Sequence, residues 1–224
     1  MSNKKYEQAI IVANGVIDDP SLTYKRVTDL FSFAGDCIVI SADGGAENAL
    51  KMNLVPDIVI GDMDSIKAAD KEKIRVRSNK TRYISTSAYK DKSDTQLAVE
   101  YALGLGIKKI IILGALGGRI DHSIANIFLL ASPFLRNIDI RILTDTSEIV
   151  IMRKSGAITG NIGTTVTLIS LSPYTYFIKT KGLKYVLENE KLIFSPVRGI
   201  SNVFTEKKAY IKIKKGIVLV VKQL

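Results

Sequence analysis

Apolar, β-branched runs that end in glycine and aspartate dominate the first two thirds of the chain. Ile38-Val39-Ile40-Ser41-Ala42 leads into Asp43-Gly44-Gly45, and Ile58-Val59-Ile60 leads into Gly61-Asp62-Met63-Asp64-Ser65. Ile110-Ile111-Ile112-Leu113 leads into Gly114-Ala115-Leu116-Gly117-Gly118-Arg119, with Asp121 and His122 just beyond. Such uninterrupted runs read as strands buried on both faces, as in a parallel sheet. Further strands are predicted at 9–13, 82–85 and 138–143. Between them the pattern predicts helices over 21–33, from Gly45 onward, over 67–75 and over 95–105, where Asp94 has the chemistry of an N-cap. Ile124, Ile127, Phe128, Ala131 and Leu135 mark one face of another helix. This βαβ alternation implies an α/β domain with a mostly parallel, helix-flanked sheet.

After about residue 145 the grammar changes. Short strand-like runs follow one another at 148–152, 164–170, 176–179, 191–194, 203–205, 209–213 and 217–221. Gly156, Gly160, Gly163, Pro173, Gly182, Pro196, Gly199 and Gly216 punctuate them. The expectation is an α/β domain over 1–144 and an all-β, sandwich-like domain over 145–224.

Composition refines this picture in two places. The net charge of +10 suggests a polyanion partner, but residues 1–144 carry 19 Lys/Arg against 17 Asp/Glu, whereas 145–224 carry 13 against 5. The basic excess lies in the β domain, where lysines alternate with apolar residues like the wet face of strands; no zinc-finger or RNA-binding signature accompanies it, and no nucleic-acid partner is expected. Cys37 is the single cysteine, so no intrachain disulfide forms. No apolar stretch has the length of a membrane span, and the first residues lack the apolar segment of a secretory signal. A cytoplasmic protein is expected.

The chemistry concentrates at the ends of the predicted strands, where open α/β sheets bind ligands. Asp62 and Asp64 flank one residue; in extended geometry both project to one side and could share a cation. Mg²⁺ takes hard oxygen ligands, commonly one or two carboxylates together with phosphates and water. The plainer alternative is that one aspartate caps the next helix and the other is solvated. Asp94 has its own plain explanation as a cap, and Asp91 stands three residues before it. Gly44 and Gly45, like Gly117 and Gly118, either make tight turns or let a phosphate approach backbone N–H groups at a helix start. Arg119 can neutralise phosphate bidentately or sit on the surface. His122, the only histidine, has an ordinary structural role open to it at a helix start.

Absent motifs narrow the field. The chain has no P-loop, no G-x-S-x-G elbow and no G-x-G-x-x-G after its first strand. Metal-assisted phosphoryl transfer, diphosphoryl transfer or phosphate-ester hydrolysis remain.

Taken together, six ordered segments resemble the thiamin pyrophosphokinase family. These are Ala42-Asp43-Gly44-Gly45-Ala46, Pro56-Asp57 through Ser65, Asp91-Lys92-Ser93-Asp94, Gly114 through His122, Gly182-Leu183-Lys184-Tyr185 and Gly199-Ile200-Ser201-Asn202. The resemblance implies a homodimer that uses ATP and Mg²⁺ to diphosphorylate thiamin. It implies Asp62, Asp64 and Asp94 as metal-linked carboxylates, with Asp43 and Asp91 close by. Arg119 and the glycine turns would hold the triphosphate, with Asp121 and His122 on the nucleotide, and Asp94, Ser201 and Asn202 on the thiamin side. Ser93 stands where threonine is frequent, and Val203 where an acidic residue is common. The chain has no tryptophan to stack on a thiamin ring; Phe204, Tyr174 and Tyr176 are the aromatic candidates. The alternatives are the same chemistry on another ring-bearing alcohol, such as a hydroxymethyl pterin, and a nucleotide- or nucleic-acid-binding module without turnover.

Overall fold

The fold is that of a computed structural model, which describes residues 6–30, 37–86 and 91–224. The chain divides into two compact units, Met1–Asp145 and Thr146–Leu224.

In the first unit, strands β1 (Gln8–Val12), β2 (Cys37–Ala42), β3 (Ile58–Gly61), β4 (Arg82–Ser85), β5 (Lys109–Leu113) and β6 (Asp139–Leu143) form a parallel array ordered β6-β5-β1-β2-β3-β4. The central strands are the isoleucine runs: Ile10, Ile11, Ile40, Ile110, Ile111 and Ile112 are wholly buried. Helices α1 (Pro20–Leu30), α2 (Gly45–Lys51), α3 (Ala68–Arg77), α4 (Asp94–Gly104) and α5 (Ile120–Leu129) connect them. Of the helix expected over 21–33, residues 31–33 lie outside the described residues. The chain runs outward from β1 through β2 and β3 to β4, then returns to place β5 on the other side of β1. The C-terminal end of β1 is therefore a topological switch point, where neighbouring loops splay apart and leave a crevice.

Three local expectations are corrected. The cap of α4 is Ser93, whose hydroxyl accepts the backbone N–H of Gln96 at 3.2 Å; Asp94 is the first helical residue. The cap position of α3 is Lys67, and no side chain caps it, so neither Asp62 nor Asp64 serves there. Helix α5 ends at Leu129, and Leu135 falls in a separate 3₁₀ turn, Pro133–Leu135. Pro133 has no N–H to continue the helical ladder. The apolar face of α5 divides: Leu129 is buried, whereas Ile124 and Phe128 are 47% and 51% exposed.

The second unit contains two four-stranded antiparallel arrays. One orders β12 (Asn202–Val203), β9 (Thr165–Ser170), β14 (Val218–Gln223) and β7 (Ser147–Met152). The other orders β11 (Glu188–Ile193), β10 (Tyr174–Lys181), β13 (Lys208–Lys215) and β8 (Gly156–Thr159). Val166, Leu168, Val218 and Val220 from one array pack with Phe177, Leu192, Ile211 and Ile213 from the other, giving a sandwich core. Strand β13 shows the period of two clearly, with Ala209, Ile211 and Ile213 buried between exposed lysines and Tyr210. Strand β8 was not expected from sequence, because Gly156 and Gly160 read as turn residues. No described helix is long and apolar enough to cross a membrane.

Close backbone approach at Gly45 joins α2 to the end of β1. A Cβ there would lie 2.0 Å from the Val12 carbonyl oxygen. Gly45→Ala is expected to destabilise the protein by about 2–3 kcal/mol through forced displacement of that strand end, read as a lowered urea midpoint with unchanged slope.

Candidate active site

Loops after β1, β2 and β5 enclose a cleft of about 490 Å³ at the switch point. Its lining includes Asn14 and Gly15 after β1, Asp43 and Gly44 after β2, Gly114, Gly117 and Gly118 after β5, and Asp94 on α4. Arg119, His122 and Asn126 contribute from α5 and its approach. These three positions follow the i, i+3, i+7 spacing of one helix face.

The loops interlock by close contact. A Cβ on Gly15 would lie 2.3 Å from the Leu116 carbonyl oxygen, and one on Gly44 would lie 2.4 Å from Asn14 Nδ2. Buried Asn48, on α2, donates its amide to the carbonyls of Ala13 at 3.0 Å and Gly15 at 2.8 Å. Asn126, on α5, donates to the Ala115 carbonyl at 2.8 Å. Two asparagines thus fix the loops that line the cleft. Asn14, Gly15, Asn48 and Asn126 were not singled out in the sequence, where Asn-Gly reads as a turn and a helical asparagine carries no chemical signature. The one available clue was that Asn14-Gly15, like the other glycine turns, follows a buried strand.

Carboxylates gather along one side of the cleft. Ligand oxygens of Asp43, Asp62 and Asp64 all lie within 4.8 Å of one another. Asp94 approaches the same point: a Cβ on Gly61 would lie 2.8 Å from Asp43 Cβ and 3.2 Å from Asp94 Oδ1. Glycine at 61 is what lets the two carboxylates meet. The convergence of Asp62 and Asp64 does not come from strand alternation. Strand β3 stops at Gly61, and Met63 between them has φ of +67°, so a turn brings the side chains round. Ser65 holds that turn by donating its hydroxyl to Asp64 at 2.8 Å and its N–H to Asp43 at 3.1 Å. Lys67, paired with Glu47 at 2.7 Å, anchors its far end; that hydrogen bond and one from Lys51 lower the Glu47 pKa to about 2.

Asp43 is the most constrained of the group. It is 4% exposed with φ of +44°, and its Oδ1 is buried with no hydrogen-bond partner. Desolvation raises its pKa, opposed by the hydrogen bonds from Ser65 and reinforced by Asp64 and Asp94. A buried carboxylate oxygen without a donor, facing further carboxylates, fits a hard divalent cation far better than an amine or a backbone donor. The donor set therefore fits Mg²⁺.

Arg119 is held by Asp121 through two hydrogen bonds, Nε to Oδ1 at 3.1 Å and Nη2 to Oδ2 at 2.5 Å. The guanidinium, with help from the His122 N–H, lowers the Asp121 pKa to about 2. Asp121 itself is not among the lining residues, so its observed part is to orient Arg119 at the mouth. Asp91 is exposed and belongs neither to the lining nor to the carboxylate triad. Burial pushes the Cys37 thiol up to about 11, with Asp57 adding to the effect, so it stays protonated and is no nucleophile.

In the second unit, Asn202 is 4% exposed and its side chain is spent locally. Oδ1 accepts the Tyr185 N–H at 2.9 Å, and Nδ2 donates to the Tyr185 carbonyl at 2.7 Å. Neighbouring Ser201 is exposed, with φ of +56°. Phe204 is 1% exposed and belongs to the sandwich core, which removes it as a ring-stacking candidate. Tyr174 and Tyr176 lie on β10 under the ammonium groups of Lys191, Lys215 and Lys214.

A carboxylate cluster beside a glycine-walled cleft at the switch point of a parallel sheet suits the class of enzymes that work on phosphate groups. Comparison with known proteins names the family. A family model described as "Thiamin pyrophosphokinase, catalytic domain" matches residues 33–142, and "Thiamin pyrophosphokinase, vitamin B1 binding domain" matches residues 147–218. The chain belongs to the thiamin pyrophosphokinase family. It is 28% identical over 186 residues to thiamine pyrophosphokinase of Bacillus subtilis, covering 82% of this chain and 86% of that protein. It is 28% identical over 195 residues to thiamine pyrophosphokinase 1 of rice, covering 75% and 72%. The fold is shared with the crystal structure of the B. subtilis protein, with a TM-score of 0.83, 24% identity and coverage of 96% and 98%. It is also shared with that of yeast thiamin pyrophosphokinase, with a TM-score of 0.78, 19% identity and coverage of 100% and 88%.

Asp43→Asn is expected to raise the melting temperature of the metal-free protein, because it removes a buried charge while keeping an acceptor for Ser65. A gain of about 1 kcal/mol corresponds to about 2–4 °C at this size. The native pKa of Asp43 is raised, so its contribution favours folding when protonated and is lost as pH rises through the raised native value. The stability difference between variant and wild type should therefore appear on raising the pH, and added Mg²⁺ should stabilise wild type but not the variant.

Proposed function

We propose that this chain catalyses Mg²⁺-dependent transfer of diphosphate from ATP to the hydroxyl of thiamin, giving thiamin diphosphate and AMP. The observation that carries the reading is the convergence of Asp43, Asp62 and Asp64 beside the glycine-walled cleft, with Arg119 at its mouth. Asp62, Asp64 and Asp43, joined by Asp94, would hold the metal, which when bound supplies charge neutralisation for the triphosphate. Backbone N–H groups of Gly44, Gly45, Gly117 and Gly118 cradle phosphate oxygens where no side chain intervenes. Arg119, turned from Asp121, offers its paired N–H donors to the same phosphates, and His122 lines the wall beside it. The thiamin hydroxyl attacks the β-phosphorus, a carboxylate of the cluster takes its proton, and AMP leaves. The work of the site is alignment and charge stabilisation, with no covalent nucleophile.

Residues 1–144 serve as the ATP and metal domain, and residues 145–224 as the thiamin-binding and dimerisation domain. Support for the thiamin side comes from the match of 147–218 to the vitamin B1 binding domain. Ser201 is exposed for contact, whereas Asn202 acts by holding the Tyr185 backbone. Tyr185, 58% exposed and fixed beside Ser201 and Asn202, is the ring best placed to take the part of the missing tryptophan. The working form is a cytoplasmic homodimer. Ile193, Phe194 and Val197, 47%, 51% and 50% exposed, give the second unit an apolar surface to bury.

Incubation with ATP, Mg²⁺ and thiamin should yield AMP and thiamin diphosphate one for one. ADP with thiamin monophosphate would show that the attacked phosphorus is wrong, and turnover only with a hydroxymethyl pterin would show that the acceptor is wrong. Asp62→Asn and Asp64→Asn are each expected to lower kcat by about 10²–10³-fold, since metal-linked charge stabilisation supplies several kcal/mol, with an unchanged circular dichroism spectrum.

A further inference from the structure

Asn126 is a polar side chain, 7% exposed, in the wall of the cleft, four residues past His122 on the face of α5 that carries Arg119 and His122. Its Nδ2 is committed to the Ala115 carbonyl at 2.8 Å. A carbonyl can only accept, so this bond fixes which end of the amide is which. Oδ1, the other end, has no hydrogen-bond partner among the described residues. It is nevertheless absent from the buried atoms left unsatisfied. What little exposure Asn126 has therefore reaches its carbonyl oxygen, in a side chain whose accessible neighbourhood is the cleft.

That oxygen can only accept, and phosphate oxygens at neutral pH are acceptors too. Asn126 therefore disfavours phosphate at its own position and rewards a group that carries O–H or N–H. The phosphates are assigned above to donors, the glycine-turn N–H groups and Arg119, whereas Asn126 offers an acceptor in the same cleft wall and so suits a different part of the nucleotide. Resting on the function proposed above, we infer that Asn126 is a specificity-determining residue whose Oδ1 accepts a hydrogen bond from a ribose hydroxyl or the exocyclic amine of the nucleotide, setting the direction in which ATP lies in the cleft. Nδ2 donation to Ala115 is what keeps the acceptor aimed. A site built around a fixed acceptor discriminates against an analogue that lacks the donor, because the buried oxygen is then left unpaired.

The test compares ATP with 2′-deoxy-ATP, 3′-deoxy-ATP and purine riboside triphosphate, which lack the two ribose hydroxyls and the exocyclic amine in turn. Wild type should show a KM raised about tenfold for one of these analogues, with kcat little changed. Asn126→Ala should raise the KM for ATP by a similar factor and lose the preference for ATP over that analogue. Asn126→Asp keeps an acceptor but loses the N–H that holds it to the Ala115 carbonyl, and should lose the preference as Asn126→Ala does. Asn126→Gln keeps both donor and acceptor and should retain part of it, which also covers the case in which Asn126→Ala does not fold. Thermal shifts with each nucleotide alone should show the same ranking, so the inference can be read even if the acceptor alcohol were not thiamin. Wild type blind to all three analogues, or an Asn126→Ala penalty that simply adds to the analogue penalty, would overturn it. So would a preference that moves with thiamin analogues instead.

Discussion

Everything in the catalytic unit is arranged around an unfavourable act, the gathering of aspartates at the end of a buried parallel sheet. Asp43 is held in a left-handed backbone conformation, almost fully buried, with one carboxylate oxygen unpaired and Asp62, Asp64 and Asp94 around it. Such a cluster repels itself, most of all at Asp43, its one buried member. It persists because the central strands beneath are buried and mostly aliphatic, and because Ser65 and the Lys67–Glu47 pair pin the turn that carries two of the acids. A cation bound there, as proposed, would recover the cost, which sets stability against function at this position.

The same scaffold makes the other half of the cleft from backbone. Glycines 15, 44, 45 and 61 sit where a Cβ would strike a neighbouring loop, so the loops approach until peptide groups themselves form the wall. Asn48 and Asn126 lock this arrangement with bonds to the carbonyls of Ala13, Gly15 and Ala115. A rigid wall matters for diphosphate transfer, where nearly all the catalytic benefit lies in alignment and charge placement.

The second unit follows a different economy. Its sandwich core is made by alternation, and polar residues are free to serve the loops. Asn202 shows this most clearly: buried, with both ends of its amide on the Tyr185 backbone, it shapes a surface without being part of it. Sequence similarity marks Ser201 and Asn202 equally, and the fold gives them opposite exposures.

The sequence by itself determined the parallel strands, the sandwich-like half and most of the acidic and glycine-rich positions, because hydrophobic period and turn chemistry are local properties. It also read Ser201-Asn202 and the family's motifs without knowing where their side chains go. Only the tertiary structure decided that Ser93 caps α4, that Met63 turns the backbone so that Asp62 and Asp64 converge, and that Asp43 joins them. Only it removed Phe204 from the surface and brought Asn48 and Asn126 to the cleft. These are matters of which loops meet across the sheet. Contacts between residues tens of positions apart depend on strand order and close backbone packing, and neither leaves a periodic trace along the chain.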